Sequence, residues 1–205
     1  MDIVADRPDK KTAMKTVQIE GQKRTDMGKK AARAIRAAGQ VPCVIYGGEE
    51  EVHFSAPVLS FRSIVYTPEF LIAEITVEGK MHHCILKDLQ FDVVTDRLNH
   101  IDFLELVEDK KVIAQLPLKF TGQPAGVKAG GRLMLKMKNV TVRTYPKYLV
   151  ENIEVDITNL ELNGNVRVED IKVENMQIMN SLRQPIASVV MTRALRQAET
   201  EEKKK

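Results

Sequence analysis

The sequence of 205 residues has no tryptophan, only two cysteines, and few aromatic side chains, which make up 5% of the chain. So few aromatic residues argue against stacking bases on an aromatic platform. No apolar run reaches the roughly 20 residues of a membrane-spanning helix, and no apolar signal segment opens the chain. We therefore expect a cytoplasmic protein with no membrane partner. Cys43 and Cys84 lie in apolar, strand-like surroundings, and we expect buried thiols rather than a disulfide.

A large excess of one charge is also lacking, because the formal net charge is only +3. The basic residues are concentrated locally: residues 15–36 hold seven basic side chains and two acidic ones. The segment 14–107 as a whole holds 11 basic and 13 acidic residues. A basic patch on an otherwise acidic module favours one specific docking surface over general attraction to polyanions.

The sequence does contain a short basic helix, predicted between Gly28 and Gly39, that leads into a buried strand. Helical spacing places three cations on one face: Lys29, Arg33 and Arg36. It places three apolar residues on the opposite, docking face: Ala31, Ile35 and Ala38. We expect Asp26 to be the N-cap and Gly39 to be the left-handed glycine that ends the helix. Cations on such a helix suit a phosphate backbone, although an ordinary solvated face has the same spacing.

Apolar alternation predicts a mostly β module over residues 14–107, with two short helices. Its strand candidates are 15–20, 42–46, 52–54, 70–77, 81–86 and 100–106. Glu78-Gly79 is expected to turn a hairpin, and Ser55 to cap a second helix that ends near Tyr66.

A second β-rich domain is predicted over residues 108–193, after a charged joint at 108–111. Its strand candidates are 112–120, 132–137, 140–145, 153–157 and 166–168. Residues 110–147 hold nine basic and no acidic residues, whereas 151–174 hold seven acidic and two basic ones. These charges form either two faces of opposite sign or one mixed surface. Residues 1–13 are predicted to be a disordered leader and 194–205 a disordered charged tail.

Two other motifs are weak signals for chemistry. The glycine-rich run 122–131 lacks the Gly-Lys-Ser/Thr ending of a phosphate-binding loop and lies between strands, so we expect a structural turn. His82-His83-Cys84 resembles a metal fragment, but a zinc site needs about four ligands, and only two other histidines exist, His53 and His100. We expect no metal and no cofactor.

The run His100-Ile101-Asp102-Phe103 is more suggestive. On a strand, His100 and Asp102 share one face, about 7 Å apart, while Ile101 and Phe103 point inward. Such a pair could read RNA 2′-hydroxyls or base edges in a wide minor groove. A surface His–Asp pair with no ligand has the same spacing.

Three segments of the first module together resemble the bacterial large-subunit ribosomal protein twenty-five family. They are Arg24-x-x-x-Gly28-Lys29-x-x-x-Arg33-x-x-Arg36-x-x-Gly39-x-x-Pro42-x-Val44-Ile45-Tyr46-Gly47, then Lys87-Asp88-Leu89-Gln90, then His100-Ile101-Asp102-Phe103. The second half is similar to the two-domain form called general stress protein CTC, at Gly126-Val127-Lys128-x-Gly130-Gly131 and Ile153-Glu154-Val155-Asp156. The resemblance covers residues 14–192 in order.

This resemblance implies a mainly β fold, with an N-terminal closed β barrel carrying two or three short helices and a second β-rich domain. It implies a non-enzymatic, ribosome-associated protein of the large subunit that binds the loop E region of 5S ribosomal RNA, largely in the minor groove. By motif, four residues would hold phosphates: Arg24, Lys29, Arg33 and Arg36. The residues that would face the groove are Tyr46, His100 and Asp102. Lys87 aligns with a polar contact position. Ala34 stands where some members carry another basic residue.

The second domain is expected to contact 23S ribosomal RNA or neighbouring ribosomal proteins, and the unbound protein is expected to be a monomer. Two other classes of function stay open at this point. One is a small hydrolase that uses His100 and Asp102, or a metal-dependent one that uses His82. The other is a cytosolic stress-response RNA-binding protein that does not reside on the ribosome.

Overall fold

The computed structural model describes residues 14–193 and residue 197. The predicted leader, 1–13, and the predicted tail apart from residue 197 lie outside the described residues. Within the described part, no helix is both long and apolar enough to cross a membrane.

The N-terminal part folds into a closed barrel of six strands in the order β1-β3-β2-β6-β5-β4. The strands are β1 Thr16–Lys23, β2 Gln40–Tyr46, β3 Val52–Pro57, β4 Ile72–Val77, β5 Lys80–Phe91 and β6 Leu98–Glu105. Two of the six pairings are parallel, β1 with β4 and β2 with β6, and they close the barrel. The mainly β fold class and the closed barrel are confirmed.

The barrel interior is filled by the alternate residues of each strand. In β4, Ala73, Ile75 and Val77 are buried, while the residues between them are half-exposed. Three phenylalanines form the centre of this core: Phe54 and Phe61 each lie 6.1 Å from Phe103, ring centroid to ring centroid. Aromatic pairs at such distances stabilise a core beyond their buried area. This core fixes which side chains of each strand point outward.

The β4–β5 hairpin forms at the predicted turn. Glu78 has φ +51° and Gly79 φ +81°, so both central residues adopt the left-handed conformation of a type I′ turn. Strand β5 continues to Phe91, well past the predicted end at Leu86. A bulge between Leu86 and Asp88 lets it bend and follow β6 to its full length.

The basic helix α1 spans Lys29–Ala37 and ends at Gly39, whose φ is +76° and whose N–H donates to the Arg36 carbonyl at 3.1 Å. The predicted glycine cap is therefore confirmed. The predicted N-cap is wrong, because Gly28 occupies that position and no side chain caps the helix. Ala38 is exposed and does not belong to the docking face, which consists of the half-buried residues Ala31, Ala32 and Ile35.

The second helical segment is a 3-10 turn, Val58–Phe61, followed by the short helix α2, Arg62–Val65. Ser55 does not cap it. Ser55 lies within β3, paired with both β1 and β2, and its buried hydroxyl donates to Gln40 Oε1 at 3.0 Å. Strand pairing on both sides overrides the local capping signal, and the helix starts after Pro57.

The second domain holds two sheets, ordered β10-β7-β9-β12 and β11-β13-β8. Their strands are β7 Val112–Thr121, β8 Arg132–Leu135, β9 Asn139–Thr144, β10 Ile153–Asp156, β11 Asn165–Arg167, β12 Gln177–Ile178 and β13 Pro185–Val190. The five predicted strands are present, and two were missed, β12 and β13. The glycine-rich run connects β7 to β8 and includes a one-turn helix, α3 Ala125–Lys128.

The charges of the second domain mix in part. Lys119 of β7 lies beside Glu154 of β10 in register, 3.7 Å apart between Nζ and Oε1. Lys147 pairs with Glu108 of the predicted joint at 3.6 Å. Of the two alternatives, these positions therefore favour one mixed surface.

Two barrel residues, Phe70 and Ile85, belong to the hydrophobic core of the second domain. Ile85 follows Cys84, which points into the barrel, so its own side chain points outward and is covered. Polar contacts also cross this junction: Lys15 N donates to Glu151 at 3.0 Å, and Lys110 Nζ donates to the Gly47 carbonyl at 3.0 Å. The barrel wall thus forms one side of the second core.

Both cysteines are free and buried inside the barrel, as predicted. Burial raises the pKa of the Cys84 thiol to about 12 and that of Cys43 still further above its usual value.

Neither thiol is expected to react with Ellman's reagent at neutral pH while the protein is folded, because the reactive thiolate is absent and the reagent has no access. In denaturant, both should react at the rate of an ordinary thiol. Single alanine variants of Cys43 and Cys84 assign each thiol. Rapid release of one equivalent under native conditions would show that the barrel is open at one of them.

Candidate nucleic-acid interface

The outer face of strands β2, β5 and β6 carries the predicted groove-facing residues. Ile101 and Phe103 are fully buried in the barrel, so His100 and Asp102 point outward between them. Their side chains are about a quarter exposed, at 25% and 27%. Both groups therefore stand on a rigid strand at the surface, as strand alternation predicts.

His100 and Asp102 are bonded to each other, with 2.6 Å between Nδ1 and Oδ1. A carboxylate accepting from Nδ1–H holds the imidazole ring in one orientation and one tautomer. The other ring nitrogen, Nε2, has no hydrogen-bond partner among the described residues. Asp102 keeps a second carboxylate oxygen with unused acceptor capacity.

Strand register extends this face on both sides. Asp88 lies opposite Asp102, and Gln90 lies opposite His100, across the β5–β6 pairing. The β2–β6 pairing places Val44 beside Asp102 and Tyr46 beside Leu104. Burial, and then the carboxylates of Asp102 and Asp88, raise the pKa of Tyr46. Its hydroxyl therefore remains a hydrogen-bond donor at physiological pH.

Sequence reasoning did not single out Asp88 and Gln90 as members of this face. They join it through an irregularity of the β5–β6 ladder beside Lys87, where the pairing passes from Leu86–Phe103 directly to Asp88–Asp102. This irregularity shifts which residues of β5 face outward. The only signal in the sequence was that both residues belong to the short motif around Lys87.

Helix α1 brings cations to the edge of the face. Arg36 Nε donates to the Asn99 carbonyl at 3.0 Å, which ties the helix to the start of β6 and leaves the rest of the guanidinium available. Lys29 and Arg33 are exposed, and no carboxylate of the described residues lies within 4.0 Å of either. These two charges are therefore not neutralised within the part of the chain that the structure describes.

Arg24 lies just beyond β1, where its backbone N–H donates to the His53 carbonyl at 2.9 Å. Its Nη2 donates to the Asp26 carbonyl at 3.3 Å, whereas its Nε is buried without a hydrogen-bond partner among the described residues. Arg24 and Asp102 both act on the pKa of the Cys43 thiol, in opposite directions. The structure thus brings Arg24 to the same stretch of β2 as Asp102.

Lys87 occupies a different position from the other predicted contacts. It lies at the β5 bulge, and its ammonium donates to the Ile113 carbonyl of the second domain at 3.2 Å. It remains a predicted RNA contact at the junction of the two domains.

The side chains of the His82-His83-Cys84 motif have structural contacts within the barrel domain. His82 Nδ1 lies 2.8 Å from Glu105 Oε1, and Cys84 is buried in the core. Across residues 14–193, no group of three or more His, Cys, Asp or Glu side chains is arranged to hold a metal ion.

Comparison with known proteins gives two matches in sequence. Residues 19–103 match the Ribosomal L25p family, and residues 111–193 match the family described as ribosomal protein TL5, C-terminal domain. The first range covers the barrel strands that carry the outer face.

Curated relatives match over nearly the whole chain. The large ribosomal subunit protein bL25 of Amoebophilus asiaticus is 41% identical over 196 residues, which cover 94% of this chain and all of that protein. The bL25 protein of Porphyromonas gingivalis is 40% identical over 187 residues, or 90% of this chain and 97% of the relative. That of Cytophaga hutchinsonii is 40% identical over 192 residues, 94% of this chain and all of the relative.

Proposed function

The chain belongs to the Ribosomal L25p family, and on that premise we propose that it binds the loop E region of 5S ribosomal RNA through the outer barrel face and helix α1. Family membership alone establishes the more general role. The chain is a ribosomal protein of the large subunit, ribosome-associated in the cytoplasm, and its family consists of structural proteins rather than enzymes.

The observation that supports 5S RNA binding most directly is the bonded pair of His100 and Asp102 on the outer face, beside the cations Lys29 and Arg33, which no carboxylate of the described residues neutralises. A-form RNA presents 2′-hydroxyls and base edges in a wide, shallow minor groove. A donor and an acceptor held rigidly on a strand match that groove, whereas an exposed carboxylate alone would be repelled by phosphates.

We assign the roles by position. Tyr46, His100 and Asp102 face the groove, where the Tyr46 hydroxyl donates and Asp102 accepts. Four cations hold the phosphates on either side of it: Arg24, Lys29, Arg33 and Arg36. Lys87 supplies a contact where the RNA passes the junction of the two domains. Gln90 and Asp88, the neighbours of His100 and Asp102 across the strand pair, belong to the same reading surface.

Titration of purified protein against labelled 5S ribosomal RNA at several salt concentrations tests this function. If four cations each neutralise one phosphate, the plot of log affinity against log salt should have a slope of roughly −3 to −4, at about 0.7–0.9 per contact. Arg33→Ala should weaken binding and make the slope shallower by about one contact.

The matched control is Arg183→Ala, which removes an exposed arginine from the second domain. It should leave both the affinity and the slope unchanged. A slope near zero on 5S RNA would overturn the phosphate assignment, and equal affinity for an unrelated RNA of the same length would overturn the specificity.

A further inference from the structure

A cleft of about 820 Å³ lies between helix α1 and the turn that joins β5 to β6. Arginines line it on both sides, Arg33 and Arg36 from the helix and Arg97 from the turn. Ligand clefts typically enclose roughly 300–1,000 Å³, which is ample for one nucleotide. The cleft adjoins the proposed RNA face, because Arg36 is bonded to the backbone of Asn99, directly before His100.

The lining of the cleft has an excess of positive charge. Two carboxylates line it, Asp92 and Asp96, against the three guanidinium groups. Asp92 is occupied by its own turn, since Oδ1 accepts from Val94 N at 3.1 Å, Thr95 N at 2.9 Å and Thr95 Oγ1 at 2.9 Å. With Asp92 held in its own turn, the lining still has three guanidinium groups against two carboxylates, and this excess of positive charge attracts an incoming phosphate.

The cleft also presents groups that suit a base. Tyr66 lines it and is 66% exposed, so much of its ring is open to solvent. Gln40 is oriented by Ser55, whose hydroxyl donates to Oε1, and its amide N–H groups therefore remain available. An aromatic ring stacks with any base, and amide donors can bond a base edge.

We propose that this cleft binds one unpaired nucleotide of the RNA, next to the double-helical segment that the barrel face contacts. Tyr66 stacks on the base, Arg97 and Arg33 hold its phosphate, and Gln40 donates to the base edge. The proposal rests on the proposed function, because the nucleotide belongs to the same bound RNA. It adds a single-stranded contact to a groove-binding surface.

Tyr66→Ala should weaken binding to 5S ribosomal RNA by about fivefold or more, the lower end of base–aromatic stacking. Tyr66→Phe keeps the ring and should bind like the unmodified protein. Tyr148→Ala removes an exposed tyrosine from the second domain and should have no effect. Thermal unfolding of each variant shows whether the fold is retained.

Arg97→Ala should make the salt slope shallower by about 0.7, the value for one phosphate of a single strand. Arg183→Ala again serves as the matched control. This variant separates a phosphate contact in the cleft from stacking alone.

Base-specific chemical probing of 5S RNA gives the decisive readout. The unmodified protein should protect one unpaired base that becomes reactive again with Tyr66→Ala, while the double-helical protections persist. If Tyr66→Ala and Arg97→Ala both bind like the unmodified protein with an unchanged probing pattern, the cleft proposal is overturned and groove binding stands. If the unmodified protein does not bind 5S RNA, the proposed function fails first.

Discussion

Replacing Asp102 with alanine is expected to weaken specific binding to 5S ribosomal RNA by about tenfold, although the change removes a negative charge that phosphates should repel. Asp102 accepts from the His100 ring at 2.6 Å and keeps one oxygen for the groove. Its loss leaves the imidazole unoriented and a bonded RNA donor without its partner. A lost partner of this kind costs roughly 1–3 kcal/mol.

Whether the affinity falls or rises in Asp102→Ala distinguishes hydrogen bonding in the minor groove from simple charge attraction. Asp109→Ala provides the matched control, because it removes an exposed carboxylate from the joint between the domains. It should leave binding unchanged or slightly tighter. Equilibrium titrations at three salt concentrations measure both variants, and tighter binding by a folded Asp102→Ala protein at every one of them would remove Asp102 from the site.

Ile85→Ala should lower the free energy of unfolding of the whole chain by about 2–5 kcal/mol, the usual cost of truncating a buried isoleucine. Its side chain lies in the core of the second domain although it belongs to a barrel strand. In a fragment of residues 14–107 the same position lies at the surface, and the same substitution should have little effect.

Ile75→Ala is the matched control for this pair of measurements. Ile75 is fully buried inside the barrel, so its truncation should destabilise the whole chain and the fragment alike. The fragment itself is predicted to fold and to bind 5S RNA nearly as well as the whole chain. An Ile85→Ala effect of equal size in both proteins would mean that the second domain does not cover this residue.

Local signals were sufficient for much of the fold. Apolar alternation located β4 and the start of β5, and the Glu78-Gly79 turn fixed their pairing. The basic helix was predictable because its cations and its small apolar residues each repeat at helical spacing. The inward direction of Ile101 and Phe103 followed from the two-residue period of a strand.

Long-range pairing was not readable from the residues. The parallel pairings that close the barrel join β1 to β4 and β2 to β6 across long stretches of chain, and only the family resemblance indicated them. Ser55 has the composition of a helix cap, but pairing on both sides keeps it in a strand. Strand β12 has two residues, too few for any period to be detected.

The candidate site was likewise predictable from the sequence only in part. The outward direction of His100 and Asp102 was predictable from one strand, whereas their neighbours Asp88 and Gln90 depend on the irregularity beside Lys87 in the β5–β6 ladder. The cleft beside helix α1 needed the folded chain, because Tyr66 and Arg97 are brought together with Arg33 only by the barrel.

Chemical footprinting of the full chain on 5S ribosomal RNA tests the proposed RNA site most directly. We expect protection of the loop E minor groove and its flanking phosphates, together with the one unpaired base proposed for the cleft beside helix α1. Arg33→Ala should lose the protection of one flanking phosphate, and Asp102→Ala should lose the groove protection. No protection at saturating protein, or protection spread evenly along the RNA and insensitive to both variants, would contradict binding through the outer barrel face.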